Sequence, residues 1–514
     1  MQDTNRRPYR RREEQSQPVN KLYVIGVAAV VALLCLASSV IVVSSLSDGI
    51  LPTRASQAEL DIISTQPGIP TPTLAPPTVP QIGGRSIGDP YIPELGNTGY
   101  DVQRYTIRLA LDPARKYIQG TTTIEAVATL HGLSELSLDF IGYQVSTVLV
   151  NGVQAQSRRE SRKLVITLPS LLSNGQSFTM AITYEGEPIE ETSLYLRFVD
   201  HLGFHYPTQD SLFVIDEPDG ARYVFPANDH PRDKAIFRFE LLVPEGLTAV
   251  ANGRLLSSES ATLTDGQDGT LFIWEHNFPM APYLAVVAVG RYQRVDDTSP
   301  QGILIRHYIF PETRADHDAA DAITGEALDW MGSLFGTYPF EAYGHVTAHV
   351  TGASLETQSM VLMASGMIGQ RTIAHEMAHM WFGDWVSLDS WGEMWRNEGF
   401  ATYVQIMWET GDDPEALELQ IEGYRAAVEA NDKVYPLGNP PVEYLFDYNV
   451  YFGGAVAVHE LRQEMGDDAF FAGLRLYFQR YGGGTASDAQ FQAVMEEAAG
   501  KSLSAFFAQW IPKS

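Results

Sequence analysis

The spacing of the apolar residues changes once along the chain, and no other feature limits the fold as strongly. Between residues 97 and 292 it has a period of two. Tyr105, Ile107, Leu109 and Leu111 alternate with Thr106, Arg108 and Ala110, and the pattern returns in Leu136, Leu138, Phe140 and in Phe178, Met180, Ile182. Successive side chains of a strand point to opposite faces, so this spacing predicts half-buried strands. Asn151-Gly152, Asn174-Gly175 and Asn252-Gly253 supply turn signals between the runs. After about residue 315 the spacing becomes helical, as in DAADAITGEALDWMGSLF and AVAVHELRQEM. The expected class is α+β, an all-β domain over 97–292 followed by a helix-containing domain over 293–514. A chain of 514 residues is too long for one core, which agrees with two or more domains.

The amino-terminal end reads differently. Residues 22–46 carry no charge. At about 1.5 Å per residue they reach across a hydrocarbon core of about 30 Å, and the run is longer than the roughly 7–15 apolar residues of a cleavable signal. A retained transmembrane helix is expected, with Cys35 as one of its small apolar residues. Arg6, Arg7, Arg10, Arg11, Arg12 and Lys21 precede it, against Asp3, Glu13 and Glu14. The positive-inside rule then makes 1–21 a cytoplasmic basic tail and puts everything after 46 outside the cell membrane, in a single-pass arrangement. The Pro/Thr-rich stretch containing TQPGIPTPTLAPPTVP marks 47–96 as an extended stalk. Acidic residues outnumber basic ones 63 to 35, giving a net charge of −28. That field is opposite to the one a general nucleic-acid binder needs. One cysteine can neither close an intramolecular disulfide nor supply a thiolate zinc site. No feature of the sequence sets an oligomeric state.

The sharpest chemical signal is His375-Glu376-Met377-Ala378-His379. On a helix, residues four apart share a face, so both imidazoles can reach one metal ion, with Glu376 beside it to hold the proton of a bound water. Trp395-Arg396-Asn397-Glu398-Gly399-Phe400-Ala401 opens a second helical stretch, and Glu398 would complete a His₂Glu set of three ligands with one open position. His201 and His205 have the same spacing but lie in the β half. His345 and His349 lie in a predicted strand, where residues four apart are too distant to chelate as a helical pair does. Neither pair is expected to bind metal.

HEMAH, eighteen intervening residues and then NEGFATY resemble the gluzincin aminopeptidases of the aminopeptidase N type, peptidase family M1, in a short form. The resemblance covers most of 97–514 and implies a saddle- or sandwich-like β domain before a thermolysin-like mixed α/β domain, with one Zn²⁺ per chain held by His375, His379 and Glu398. Gly352-Ala353-Ser354-Leu355-Glu356 resembles the family's exopeptidase motif, which implies that Gly352 and Ala353 line the substrate and that Glu356 binds its α-amine. DEPDGARYVFPANDHPRDKAIF (216–237) resembles the β-domain segment that completes this anchor, with Glu217 at the matching position. Val450-Tyr451-Phe452-Gly453-Gly454-Ala455 resembles the motif whose tyrosine stabilises the oxyanion, and Tyr448 is the rival for that role. Leu355-Glu356-Thr357 departs from Met-Glu-Asn, and Phe452-Gly453 departs from Glu-Lys. GKSLSAFFAQWIPKS resembles the last helix of the family's catalytic domain, so a cleft without further roofing domains is expected.

These groups imply hydrolysis of the first peptide bond of peptides with a free amino terminus, by a zinc-bound water with Glu376 as general base. The alternatives are a thermolysin-like zinc endopeptidase, disfavoured by the paired acids, an epoxide hydrolase on the same scaffold, for which no residue speaks, and a non-catalytic membrane-tethered binding protein.

Overall fold

A computed structural model describes residues 79–350, 352–431 and 435–512. The expected basic tail, the expected span and residues 47–78 of the expected stalk lie outside the described residues. Among the described residues no helix is long and apolar enough to cross a membrane.

The β half is distributed over three sheets. The largest has eight strands, in the order Arg254–Thr262, Asp268–Met280, Ala235–Pro244, Tyr100–Asp112, Tyr117–Ala128, Ser177–Gly186, Gln144–Val150 and Val153–Gln154. Its pairs are antiparallel except for Ala235–Pro244 against Tyr100–Asp112. The period-two face supplies the core: Tyr105, Ile107, Leu109 and Leu111 are wholly buried, as are Met180 and Ile182. Asn151 and Gly152 both adopt positive φ, 50° and 78°, which closes a two-residue hairpin with the strand twist.

Two expectations about this half are revised. Residues 79–96 are not a spacer. Gln81–Ile82 pairs in parallel with Leu133–Asp139, and Ile92 and Leu95 are fully buried. The Asp89 carboxylate accepts hydrogen bonds from His230 Nε2 (2.9 Å), Ser390 Oγ (2.7 Å) and the Trp391 amide (3.1 Å). Isolated apolar residues in a Pro-rich stretch resemble a linker by composition, although here they fill a groove between the halves. Asn252-Gly253, in turn, is a buried junction instead of a surface hairpin. Asn252 Nδ2 donates to the Leu284 and Gln358 carbonyls, and the Gly253 amide donates to Ser359 Oγ. A Cβ on Gly253 would lie 2.1 Å from the Glu275 carbonyl, so only glycine fits.

From Gln293 onward the chain builds a mixed sheet in the order Gln293–Thr298, Leu304–Ile309, His345–Ala348 and Val361–Ala364, with Ala342–Tyr343 also beside Leu304–Ile309. The helices are Arg314–Asp321 (α1), Thr324–Phe335 (α2), Gln370–Ala378 (α3), Trp395–Thr410 (α4), Pro414–Glu429 (α5), Gly454–Met465 (α6), Asp467–Tyr481 (α7), Asp488–Ala499 (α8) and Ser504–Trp510 (α9). The molecule is thus a β-rich part followed by a mixed α/β part. Helices α4 and α6 meet at Gly399 and Gly454, where a Cβ on either residue would lie 2.7 Å from the other's backbone. Small residues let the two backbones touch, and each carries a functional segment at the crossing.

Candidate metal centre

His375 lies on α3, and His379 follows directly at its C-terminal cap, still in helical conformation. The i, i+4 spacing therefore holds, and both rings are about 1% exposed. The His379 Nδ1–H donates to the Phe382 carbonyl (3.1 Å), which leaves Nε2 with its lone pair facing inward. Glu398, in the first turn of α4, brings Oε2 to 2.8 Å from His375 Nε2 and 3.5 Å from His379 Nε2. One donor atom from each of the three residues lies within 4.8 Å of the others, close enough to share one ion.

The surroundings carry an excess of buried negative charge. Glu217, Glu356 and Glu376 are each 4% exposed or less, and one oxygen of each has no hydrogen-bond partner among the described residues. Burial raises the Glu376 carboxyl well above the carboxylate range, and Glu356 adds to the rise. Burial and then Glu356 do the same to Glu217. For Glu398 burial acts in the same direction, but His379 and His375 outweigh it and bring the carboxyl down to about 2. Buried carboxylates need compensating cations. A His₂Glu donor set beside three further buried acids fits a divalent ion together with one further cation.

The site forms where the halves meet, because Glu217 comes from the β half and the other groups from the α/β half. Glu356 approaches His379 Nδ1 to 3.9 Å. It is positioned by its neighbour Leu355, which exchanges backbone hydrogen bonds with Leu362 at the edge of the mixed sheet. Gly352 (φ 106°) and the buried Ala353 start this edge stretch, and a Cβ on Gly352 would lie 3.7 Å from the Phe198 carbonyl oxygen. Tyr451 lies on a π-helical turn, Asn449–Gly453, that runs into α6. Its ring stacks on His375 with centroids 5.8 Å apart, and burial followed by Glu398 raises its hydroxyl well above the usual phenol range. Tyr448 is only half-buried and packs against Phe452, so of the two tyrosines it is Tyr451 that reaches the donors.

A peptidase M1 N-terminal domain model matches residues 101–284, and a peptidase family M1 domain model matches 341–510. The chain belongs to peptidase family M1. It is 27% identical over 454 residues to aminopeptidase N of Streptomyces lividans, a match covering 80% of this chain and 50% of the relative. With aminopeptidase N of Rattus norvegicus the identity is 27% over 352 residues, covering 62% and 36%. This M1 chain thus spans about half the length, or less, of the curated relatives it matches. An M1 zinc metallopeptidase from Deinococcus radiodurans has a closely similar structure, with a TM-score of 0.76 and 28% identity over 83% of this chain and 97% of that one. A mutant of it bound to a Tyr-Ser-Ala substrate gives 0.76 and 28%, covering 83% and 98%.

Two members of this M1 site escaped sequence reasoning. Asp384 is wholly buried with neither carboxylate oxygen hydrogen-bonded among the described residues, and burial and then Glu356 raise it well above the carboxylate range. Lys234 Nζ, from the β half, donates to the Asp384 carbonyl at 2.7 Å. Neither residue belongs to a spacing pattern, so no signal in the sequence marks them. Of the histidine pairs set aside above, His201 and His205 stack on each other at 4.0 Å, and His205 Nε2 meets the His201 carbonyl at 3.0 Å. His349 Nε2 donates to Glu312 Oε1 (2.9 Å).

Proposed function

We propose that this M1 chain is a zinc aminopeptidase that removes the first residue from peptides with a free amino terminus. The observation that carries this reading is the convergence of two buried acids from different halves, Glu217 and Glu356, beside the His375–His379–Glu398 donor set. The tripeptide bound to the Deinococcus radiodurans neighbour supports a peptide substrate. One Zn²⁺ per chain would be held by His375, His379 and Glu398. When bound there it supplies a Lewis acid that lowers the pKa of water and draws charge from a carbonyl oxygen.

The chain's own groups account for the rest. Glu376, buried beside the donor set, is placed to take a proton from the attacking water and to return it to the departing amine. The Tyr451 hydroxyl donates toward the carbonyl oxygen as charge develops there. Glu217 and Glu356 hold the substrate ammonium, which fixes the first peptide bond over Glu376. A capped or internal peptide offers no cation and would leave both acids buried and unpaired, which disfavours endopeptidase cleavage. The charge-free run 22–46 and the basic residues before it support a single amino-terminal membrane anchor, with the catalytic part outside the cell.

Glu376→Gln tests the assignment of the base. The variant is expected to keep its zinc and lose turnover by at least about 10²-fold. A zinc-loaded variant with wild-type turnover would overturn the role.

A further inference from the structure

A second set of metal donors lies in the α/β half, apart from the HEMAH motif. His317 and Asp321 stand one turn apart on α1. His307 lies on Leu304–Ile309, and His345 opens the neighbouring parallel strand His345–Ala348. The three histidines are fully buried, and the Asp321 side chain is 21% exposed. One donor atom from each of the four residues lies within 4.8 Å of the other three. His317 Nε2 is 3.1 Å from His345 Nδ1, and His307 Nε2 is 3.3 Å from Asp321 Oδ1. His317 Nδ1 is buried without a hydrogen-bond partner among the described residues.

The hydrogen bonds divide the four into ligands and support. His307 Nδ1 accepts the His345 backbone N–H at 3.1 Å, so the ring proton sits on Nε2, which lies 3.3 Å from Asp321 Oδ1 without forming a full hydrogen bond among the described residues. That ring cannot also give Nε2 to a metal. It is placed instead to orient the carboxylate, as groups behind metal ligands commonly do. His345 Nε2 faces the Tyr343 hydroxyl at 2.9 Å, which accepts the ring proton once Nδ1 is used for an ion.

We infer that His317 Nε2, His345 Nδ1 and the Asp321 carboxylate form a second site for a divalent transition-metal ion, with His307 as a positioning residue. Two imidazoles and a carboxylate suit zinc and its first-row neighbours better than calcium or magnesium, which prefer all-oxygen shells. An ion there would tie α1 to the strand His345–Ala348 of the mixed sheet. Its role is structural, because none of these residues belongs to the set around His375.

The test is metal counting on the purified full-length protein, stripped with chelator and reloaded with zinc. Two equivalents per chain are expected for the wild type, and one for His317→Gln and for the near-isosteric Asp321→Asn. His375→Ala is expected to retain one equivalent, with cobalt substitution giving it the visible absorption of a nitrogen–oxygen site. His307→Gln should keep the second equivalent but weaken it about 10–100-fold. Zinc should raise the melting temperature of His375→Ala and leave that of His375→Ala/Asp321→Asn unchanged. If the wild type and Asp321→Asn hold the same number of equivalents, and zinc does not stabilise His375→Ala, the cluster is a metal-free hydrogen-bonded network and the inference is wrong. Loss of the equivalent assigned to His375 alone would count against the proposed active site and not against this one.

Discussion

Gly399→Ala probes the mechanical link between the metal donors and Tyr451, the residue proposed above to donate to the oxyanion. Gly399 follows Glu398 on α4, and Gly454 follows the π-helical turn that carries Tyr451. An added methyl group at 399 would sit 2.7 Å from both Cα and C of Gly454 and 3.1 Å from its carbonyl oxygen. Carbon atoms in contact sit about 3.5–4.0 Å apart, so the helices must separate by about 1 Å. The atoms in the way are backbone, and no side-chain rotation can relieve the clash. Overpacking of this kind costs about 1–3 kcal/mol of stability. A displacement of about 1 Å between catalytic groups costs about 10²-fold in turnover. Gly423→Ala is the control: Gly423 lies on α5 with nothing within 4 Å of the new Cβ, so the change should stabilise by up to about 1 kcal/mol and leave activity intact. Thermal melting and kcat on aminoacyl anilides read both variants. A Gly399→Ala protein that melts and turns over like the wild type would refute the claim that this crossing sets the distance between Glu398 and Tyr451.

Other perturbations have equally definite outcomes. Glu356→Ala removes one of the two acids assigned to the substrate ammonium, and a lost charge-assisted contact of about 1.5–3 kcal/mol lowers kcat/KM by about 10–150-fold. Its zinc content should be unchanged, and parallel loss of metal and activity would reject the anchor role. Arg396 is buried among Glu393 (2.5 Å), Asp488 (2.9 Å) and the Tyr477 hydroxyl (2.8 Å). Arg396→Ala leaves two acids buried without their cation and should destabilise by about 3–5 kcal/mol in denaturant unfolding, and a loss below about 1 kcal/mol would contradict the network. Burial works against the charge on Asp89, but the hydrogen bonds from His230, the Tyr91 amide, Ser390 and the Trp391 amide prevail and bring it down from 3.8 to about 2. Burial also lowers His230 below 6.5, against the pull of Asp89. Both folded pKa values are depressed, so both contributions are complete above the unfolded values and are lost as pH falls, first below about 6.5 for His230 and then from about 4 to 2 for Asp89. The Asp89 part is worth roughly 2–3 kcal/mol. Melting curves of Asp89→Asn should lack the lower step, and an unchanged pH profile would dismiss the clamp.

The sequence revealed elements that obey a period and missed those that depend on distant parts of the chain. The strand carrying Tyr105 to Leu111 and the helix carrying HEMAH follow from side-chain geometry within one element, and they appear where the spacing placed them. Glu398, Glu356, Glu217 and Tyr451 needed family motifs, because the fold brings them together from separate elements and no local rule links them. Residues 79–96 read as a spacer because their few apolar side chains gain a partner only once both halves are folded. The same reasoning applies to Asp384 and Lys234. It applies also to His345, whose spacing pairs it with His349 but whose neighbours in space are His307 and His317.

The most direct test compares one peptide in two forms, with a free and with an acetylated amino terminus, and follows the products by mass. Release of the first residue from the free form alone, stopped by chelator and restored by zinc, is the expected result. Cleavage within the chain, or equal cleavage of the acetylated form, would show that Glu217 and Glu356 do not read the start of a peptide.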